Sequence, residues 1–370
     1  MTDLKNKLFI SAFNDELQAT IEASNQCLVM VNGRYSFKLS NIPDGINVWD
    51  SSSLRGDMPE SFVNTFDSVL KKNLNSATFI EFNKSLNLCD PLYVYFLAND
   101  NRVESPVVRN FFLLKEGVEI TIIEKHVSSD MITEASKKEI VSEWVIGANA
   151  KLNHYALEDP NKNPDVEINN KVIIEQLKNS YCSFFTFYCE DGITNNKVEV
   201  LLNEEFSNCN LYSISILNNS AIVNHDVKMN HNSPNCESTQ IYKGIFNGSS
   251  SGEFNSVVFV KKDAQQTSSV QQNNNIILSD YASVRSNPQL EIFADDVKCA
   301  HGATIGQIDY NALFYLRSRG VGKELATSIL LQGFLNDVVQ EMNILDVKKP
   351  ILIEIAKHLG LSDNFKAIDE

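Results

Sequence analysis

Residues Asn287 to Gly306 read NPQLEIFADDVKCAHGATIG. Leu290, Ile292 and Ala294 alternate with Glu291, Phe293 and Asp295, a period of two that predicts a strand with one mostly apolar face. The stretch runs on to Cys299-Ala300-His301-Gly302, where a thiol and an imidazole stand two residues apart. In extended backbone such residues point to the same side, so Cys299 and His301 can converge on one ion. Thiolate and imidazole suit zinc or an iron–sulfur centre. Two donors are half a tetrahedral site, so a second segment or chain has to supply the rest. The plainer alternative is a Cys that packs as a small hydrophobe.

Upstream, from about Ala77 to Ile305, short apolar runs alternate with polar breaks. The runs are Val118–Ile123, Tyr181–Tyr188, Val198–Leu202, Leu211–Leu217, Gln240–Phe246, Ser256–Val260, Ile276–Leu278 and Gln289–Phe293. Breaks such as NGSSSGEFN from Asn247 and QQNNN from Gln271 are crowded with Asn, Gly and Ser. Asn and Gly tolerate left-handed backbone, which repeated sharp corners require. Glu134 to Val145 reads as the main helical interruption. Hardly any helix of ten or more residues separates the strands, which disfavours a doubly wound α/β sheet and fits a sandwich, a barrel or a β-helix solenoid. The chain thus divides into a mainly helical segment 1–76, a β core 77–305 and a helical segment 306–370.

At the N-terminal end, Leu4, Leu8, Phe13 and Leu17 predict an amphipathic helix, and Met58 to Leu74 a second. Between them Gln26 to Val31 reads as a strand, with tight turns at Asn32-Gly33 and Pro43-Asp44-Gly45. At the other end, Asp309 is placed to cap a helix through Arg319, which Gly320 ends. A second helix spans Lys323 to Met342, with Leu325, Ile329, Phe334 and Val338 on its apolar side. A third runs from Ile351 to Leu359 and stops at Gly360.

The net charge of −15 disfavours nucleic acid and anionic membrane surfaces as partners. No apolar run reaches the 18 residues a membrane span needs, and the first residues do not read as a signal peptide. Seven scattered Cys without a C-x-x-C read as reduced thiols in a cytoplasm.

Other candidate groups are less specific. Asp295 and Asp296 offer acidic ligands but fit a capped corner. His225, His231 and Cys236 fall in HDVKMNHNSPNC, which reads as a loop with satisfied histidines. Cys182 and Cys189 flank SFFTFY and read as core. GVGKELATS from Gly320 fails as a phosphate-binding loop. Arg317 stands where that motif needs Gly, and Glu324 where it needs Ser or Thr. No nucleotide site and no enzyme motif is found.

Longer text is more specific than any of these. PQLEIFADDVKCAHGATIGQID, followed by ALFYLRSRG and GF, resembles the signature of the SufB/SufD family of the SUF iron–sulfur assembly system. The likeness is dense from His225 to Gly333 and returns in VNGRYS…LSNIPDGI at Val31 to Ile46. HGATIGQID (His301 to Asp309) resembles the SufD branch, whereas SufB-type chains resemble HEATTSKI at this place. The resemblance implies a mainly β fold, a right-handed parallel β-helix between helical ends. It implies a non-enzymatic cytoplasmic scaffold that pairs with a SufB-like subunit or with itself as a homodimer. A transient iron or iron–sulfur cluster would sit at the subunit interface near Cys299 and His301. The C-terminal helices, through Leu313, Phe314, Tyr315, Arg317, Arg319, Gly320 and Phe334, would dock a SufC-like ABC ATPase. The alternatives are a carbohydrate-active enzyme on a β-solenoid and a SufB-type primary scaffold. For the first, adjacent Asp295 and Asp296 make a poor carboxylate pair.

Overall fold

The structure is a computed structural model. It describes residues 26–50, 77–98 apart from 87 and 89, 107–128, 136–157, 165–189, 192–342 and 344–358. Nineteen strands and three helices occur among the described residues. The strands begin with β1 Cys27–Val31, β2 Arg34–Tyr35, β3 Ile46–Asp50, β4 Ala77–Phe82, β5 Leu92–Ala98 and β6 Val108–Leu114. They continue as β7 Glu119–Ser128, β8 Ser136–Ile146, β9 Lys151–Leu157, β10 Val166–Gln176, β11 Tyr181–Tyr188 and β12 Ile193–Leu202. The last are β13 Asn208–Leu217, β14 Ile222–His231, β15 Glu237–Phe246, β16 Ser251–Val260, β17 Thr267–Ile277, β18 Ser283–Ile292 and β19 Val297–Gly306. The helices are α1 Tyr310–Ser318, α2 Lys323–Gln340 and α3 Leu345–His358.

The chain visits two sheets in turn. One has the order β19-β17-β15-β13-β11-β9-β7-β5-β1-β2, the other β18-β16-β14-β12-β10-β8-β6-β4-β3. From β4 onward every ladder is parallel, so the architecture is a parallel β-helix of about seven turns. In the even-numbered sheet Glu167 pairs with Ile193, Ile193 with Ile222, Ile222 with Ser251 and Ser251 with Ser283. Successive coils therefore advance by 26, 29, 29 and 32 residues. That irregular period is why no repeat motif is visible in the sequence.

The corners explain the Asn content. Leading from the even to the odd sheet, Gly117, Asn149, Asn179, Phe206, Asn235 and Gln266 all hold positive φ, one per coil. Asn149 and Asn179 also bond to each other through their side chains at 3.1 Å. Between the sheets the bore is filled by stacked side chains: Phe112 lies on Trp144 at 3.8 Å and His154 on Phe184 at 4.0 Å. Identical depth in consecutive coils lets such residues stack as a ladder.

Three segments differ from their sequence-based reading. Glu134 to Val145, expected to be helical, is β8 over its described residues, with Lys137 and Glu139 outward on a strand buried at Trp144 and Ile146. HDVKMNH is not a loop but β14, whose inward positions His225, Val227, Met229 and His231 are buried. QQNNN is not a break but lies within β17, where Gln271, Asn273 and Asn275 are buried. In β14 and β17 polar side chains face the bore, so polarity did not mean exposure.

At the N-terminal end, the described part of 1–76 is strand. β1 pairs with β5 in parallel, while β2 and β3 run antiparallel to β1 and β4 and close the first coil. Asn32, Gly33 and Gly45 hold the positive φ that their turns require. The helices expected over Leu4–Leu17 and Met58–Leu74 lie outside the described residues, as does Gly360.

After β19, Asp309 caps α1 by accepting from the Asn311 and Ala312 N–H groups, and Gly320 ends it at φ 90°. The buried stripe of α2 is Ala326, Ser328, Leu331, Leu335, Val338 and Val339, whereas Ile329 is exposed. That stripe and Ile351 and Ile355 of α3 pack on the outer face of the odd sheet, against Phe185, Tyr212 and Ile214. Residues of α2 and α3 thus share a core with the solenoid.

Candidate functional site

The stretch Asn287–Gly306 is two strands and a corner, not one strand: β18 ends the even sheet and β19 ends the odd sheet. Each has a parallel neighbour on one side only, β16 and β17 respectively. On β17 the inward residues Thr267, Ser269, Gln271, Asn273 and Asn275 are buried. Their register partners on β19 are Val297, Cys299, His301, Ala303 and Ile305. Cys299 and His301 therefore share the bore side of the last strand. Cys299 is half-buried and touches the bore cluster, while His301 is exposed at the open end. Burial pushes the Cys299 thiol up, and a hydrogen bond with the Ser269 backbone partly offsets this.

Below them the bore is polar. Under Cys299, Ser269 bonds to Ser238 at 2.8 Å, and Ser238 to His231 Nε2 at 2.9 Å. Under His301, Gln271 donates to Ser256, which donates to Gln240 at 2.9 Å. Asp295 and Asp296 sit in the exposed β18–β19 corner, where the Asp296 carbonyl accepts from Gln266 N–H at 2.6 Å. Among the described residues no three His, Cys, Asp or Glu side chains are placed to hold a metal ion.

His225, His231 and Cys236 are not brought together. His225 lies between Tyr188 and Tyr242, and His231 six residues along the same strand face, roughly 20 Å away at strand rise. Burial lowers both imidazoles to about 4. Cys236 bonds to Ser207 and the Glu204 carbonyl instead. Cys182 and Cys189 are buried, as expected of core.

A cluster that the sequence reading missed lies deeper in the bore. Glu124 accepts from His126 Nε2 at 2.6 Å and from His154 Nε2 at 2.9 Å, beside a cavity of about 40 Å³. Burial pushes the carboxyl up, but the two imidazoles overcome this and hold it well below the usual carboxylate range. Glu124-Lys125-His126 on alternating positions was the available signal; the third member comes from the next coil.

On the helices, α1 buries none of its residues. Phe314 and Tyr315 are 73% and 58% exposed, Leu313 is half-buried, and Arg317, Arg319 and Gly320 are exposed. Arg319 lies over the Tyr315 ring at 5.3 Å. Phe334 instead turns toward the solenoid, with Lys243 Nζ 4.8 Å from its ring. No described helix is long and apolar enough to cross a membrane.

Comparison with known proteins agrees with this geometry. Residues 96–334 match the family model for the SufBD core domain of SUF system FeS cluster assembly. The chain is 27% identical to the iron–sulfur cluster assembly protein SufD of Escherichia coli over 353 residues, covering 93% of this chain and 81% of that protein. A SufBD family protein of Synechocystis is 26% identical over 343 residues, 87% of this chain and 75% of that one. SufD of Bacillus subtilis is 24% identical over 286 residues, 77% and 64% of the two chains. The carbohydrate-enzyme alternative is left without support. With a matching β-helix and a family model that spans most of it, this chain belongs to the SufB/SufD family of iron–sulfur cluster assembly proteins and is SufD-like.

Proposed function

We propose that this chain is a non-enzymatic scaffold subunit of a cytoplasmic iron–sulfur assembly complex. It pairs through the last coil of a right-handed β-helix with a SufB-like subunit, or with a second copy of itself. The observation that carries this reading is the asymmetry of the two ends. The first coil is closed by antiparallel β2 and β3, whereas among the described residues no strand pairs with the outer edge of β18 or of β19. Bare edge strands are templates for pairing with another chain. Cys299 and His301 stand at that edge on the bore side, so pairing encloses them and lets the partner complete the ligand set. Iron, or a nascent cluster, is cargo there: a soft thiolate and an imidazole suit it, and release follows when the partners part.

A SufC-like ABC ATPase docks on α1 and its flanks, through Leu313, Phe314, Tyr315, Arg317, Arg319, Gly320 and Phe334. Exposed aromatics beside arginines, on a helix that buries nothing, support this surface. Nucleotide belongs to that ATPase, and its movement opens the paired ends.

Anaerobic co-purification tests the reading. Tagged chain is co-expressed with the ATPase and the SufB-like subunit, as wild type and with Phe314→Glu and Tyr315→Glu combined. Recovery of the ATPase by wild type and its loss in the surface variant is the expected result. An ATPase absent under every nucleotide condition sinks the docking claim.

A further inference from the structure

We infer that Gln271 is the positioning residue for His301: its side-chain carbonyl accepts a hydrogen bond from the imidazole N–H that faces the bore and so leaves the other nitrogen free as a ligand. This rests on the reading of His301 as a donor to iron or a cluster.

Gln271 and His301 are register partners on β17 and β19, both on the bore side. Neighbouring strands lie about 4.8 Å apart, so a turn of the exposed imidazole brings a ring nitrogen within hydrogen-bond reach of the residue below. Gln271 is fully buried, yet its Oε1 has no hydrogen-bond partner. A buried acceptor left unpaired costs about 1–3 kcal/mol, so it needs an explanation.

The amide nitrogen of Gln271 is in use within the bore. Gln271 Nε2 donates to Ser256 Oγ at 2.5 Å, and Ser256 gives its single proton to Gln240 Oε1 at 2.9 Å. The Ser256 hydroxyl sits on β16, in the opposite sheet, and is itself buried. As the three buried side chains are arranged, Gln240 Nε2 and Gln271 Oε1 are the two ends of the chain left without a partner, and the oxygen is the end that lies beneath the coil above. That coil has only one bore-side residue in register with Gln271, and it is His301. A metal-binding histidine usually donates its second ring N–H to such an acceptor, which sets tautomer and orientation.

The test uses the full chain labelled with ¹⁵N at histidine, compared as wild type, Gln271→Leu and Gln271→Glu. His301→Ala assigns the His301 signals among the six histidines. Long-range ¹H–¹⁵N spectra read its tautomers, and Co(II) titration, followed by the ligand-field bands, reads its donor strength. One tautomer is expected to dominate in wild type and in Gln271→Glu, and both to be populated in Gln271→Leu. Co(II) affinity is expected to fall about tenfold in Gln271→Leu and to recover in Gln271→Glu. A tautomer ratio unmoved by Gln271→Leu overturns the role of Gln271 alone. Should that variant not fold, Gln271→Glu carries the test, since it keeps the acceptor and shifts the ring proton downfield; unchanged His301 signals contradict the contact. Co(II) binding untouched by His301→Ala overturns the donor reading itself, and the positioning role with it.

Discussion

Lys243 on β15 donates to Asp337 on α2 at 2.6 Å, and the same ammonium donates to the Phe334 carbonyl at 2.6 Å. The pair is lopsided: the lysine is 5% exposed and the aspartate 71%. Most of its value therefore lies in satisfying a buried ammonium, not in the Coulomb attraction of an exposed carboxylate. Along with the bond from Tyr212 to Glu341, it fastens the helices to the sheet.

Lys243→Met is expected to loosen α2 before it loosens the solenoid. Its cost is about 1–2 kcal/mol, the scale of one or two buried hydrogen bonds. Amide exchange in residues 323–340 should accelerate while exchange in β9–β15 is unchanged. Equal protection of α2 in variant and wild type would remove the fastening role.

Acid destabilises this fold through His225 and His231. Both are lowered to about 4 by burial, below the 6.5 of an unfolded histidine. Between those values the unfolded chain binds protons that the folded chain refuses, so stability falls as pH drops through 6.5 toward 4. At pH 5 each contributes a loss of up to about 2 kcal/mol relative to pH 7.5. Urea midpoints at the two pH values measure the sum, and His225→Phe should cut the pH dependence by about half. A midpoint that is flat from pH 7.5 to 5 contradicts the burial argument.

Glu124 answers acid with the same sign but in a lower window. Its carboxyl is held below the usual range, so the contribution is present at neutral pH and is lost only as pH falls below about 4.5. Glu124→Gln is expected to cost about 3 kcal/mol, since it leaves the buried His154 and the half-buried His126 without their anion. A double-mutant cycle with His154→Gln should show a coupling above about 1 kcal/mol. Additive losses would mean the three groups do not act together.

How much of this was legible depended on which way polarity faced. Tyr181–Tyr188 was readable as β11 because six of its eight residues are apolar and its polar exceptions are small. β14 and β17 were unreadable because His231, Gln271 and Asn273 turn inward and pair with the adjoining strand of the coil or along their own strand, which a hydropathy pattern scores as loop. Cys299 and His301 were found because strand alternation puts residues two apart on one side. Gln271 was not, because its partner is 30 positions away and that spacing varies from coil to coil. His154 was missed beside Glu124 for the same reason.

The central claim is that Cys299 and His301 serve cargo at a pairing face and not the stability of the chain. Both lie at the open end, so Cys299→Ser and His301→Ala should each change the urea stability by less than about 1 kcal/mol. The most direct measurement is the iron and acid-labile sulfide content of the anaerobically purified complex with the SufB-like subunit and the ATPase, for wild type and for both variants. The account predicts complexes of unchanged composition that have lost most of their iron and sulfide. Full cluster content in Cys299→Ser and His301→Ala together would contradict it.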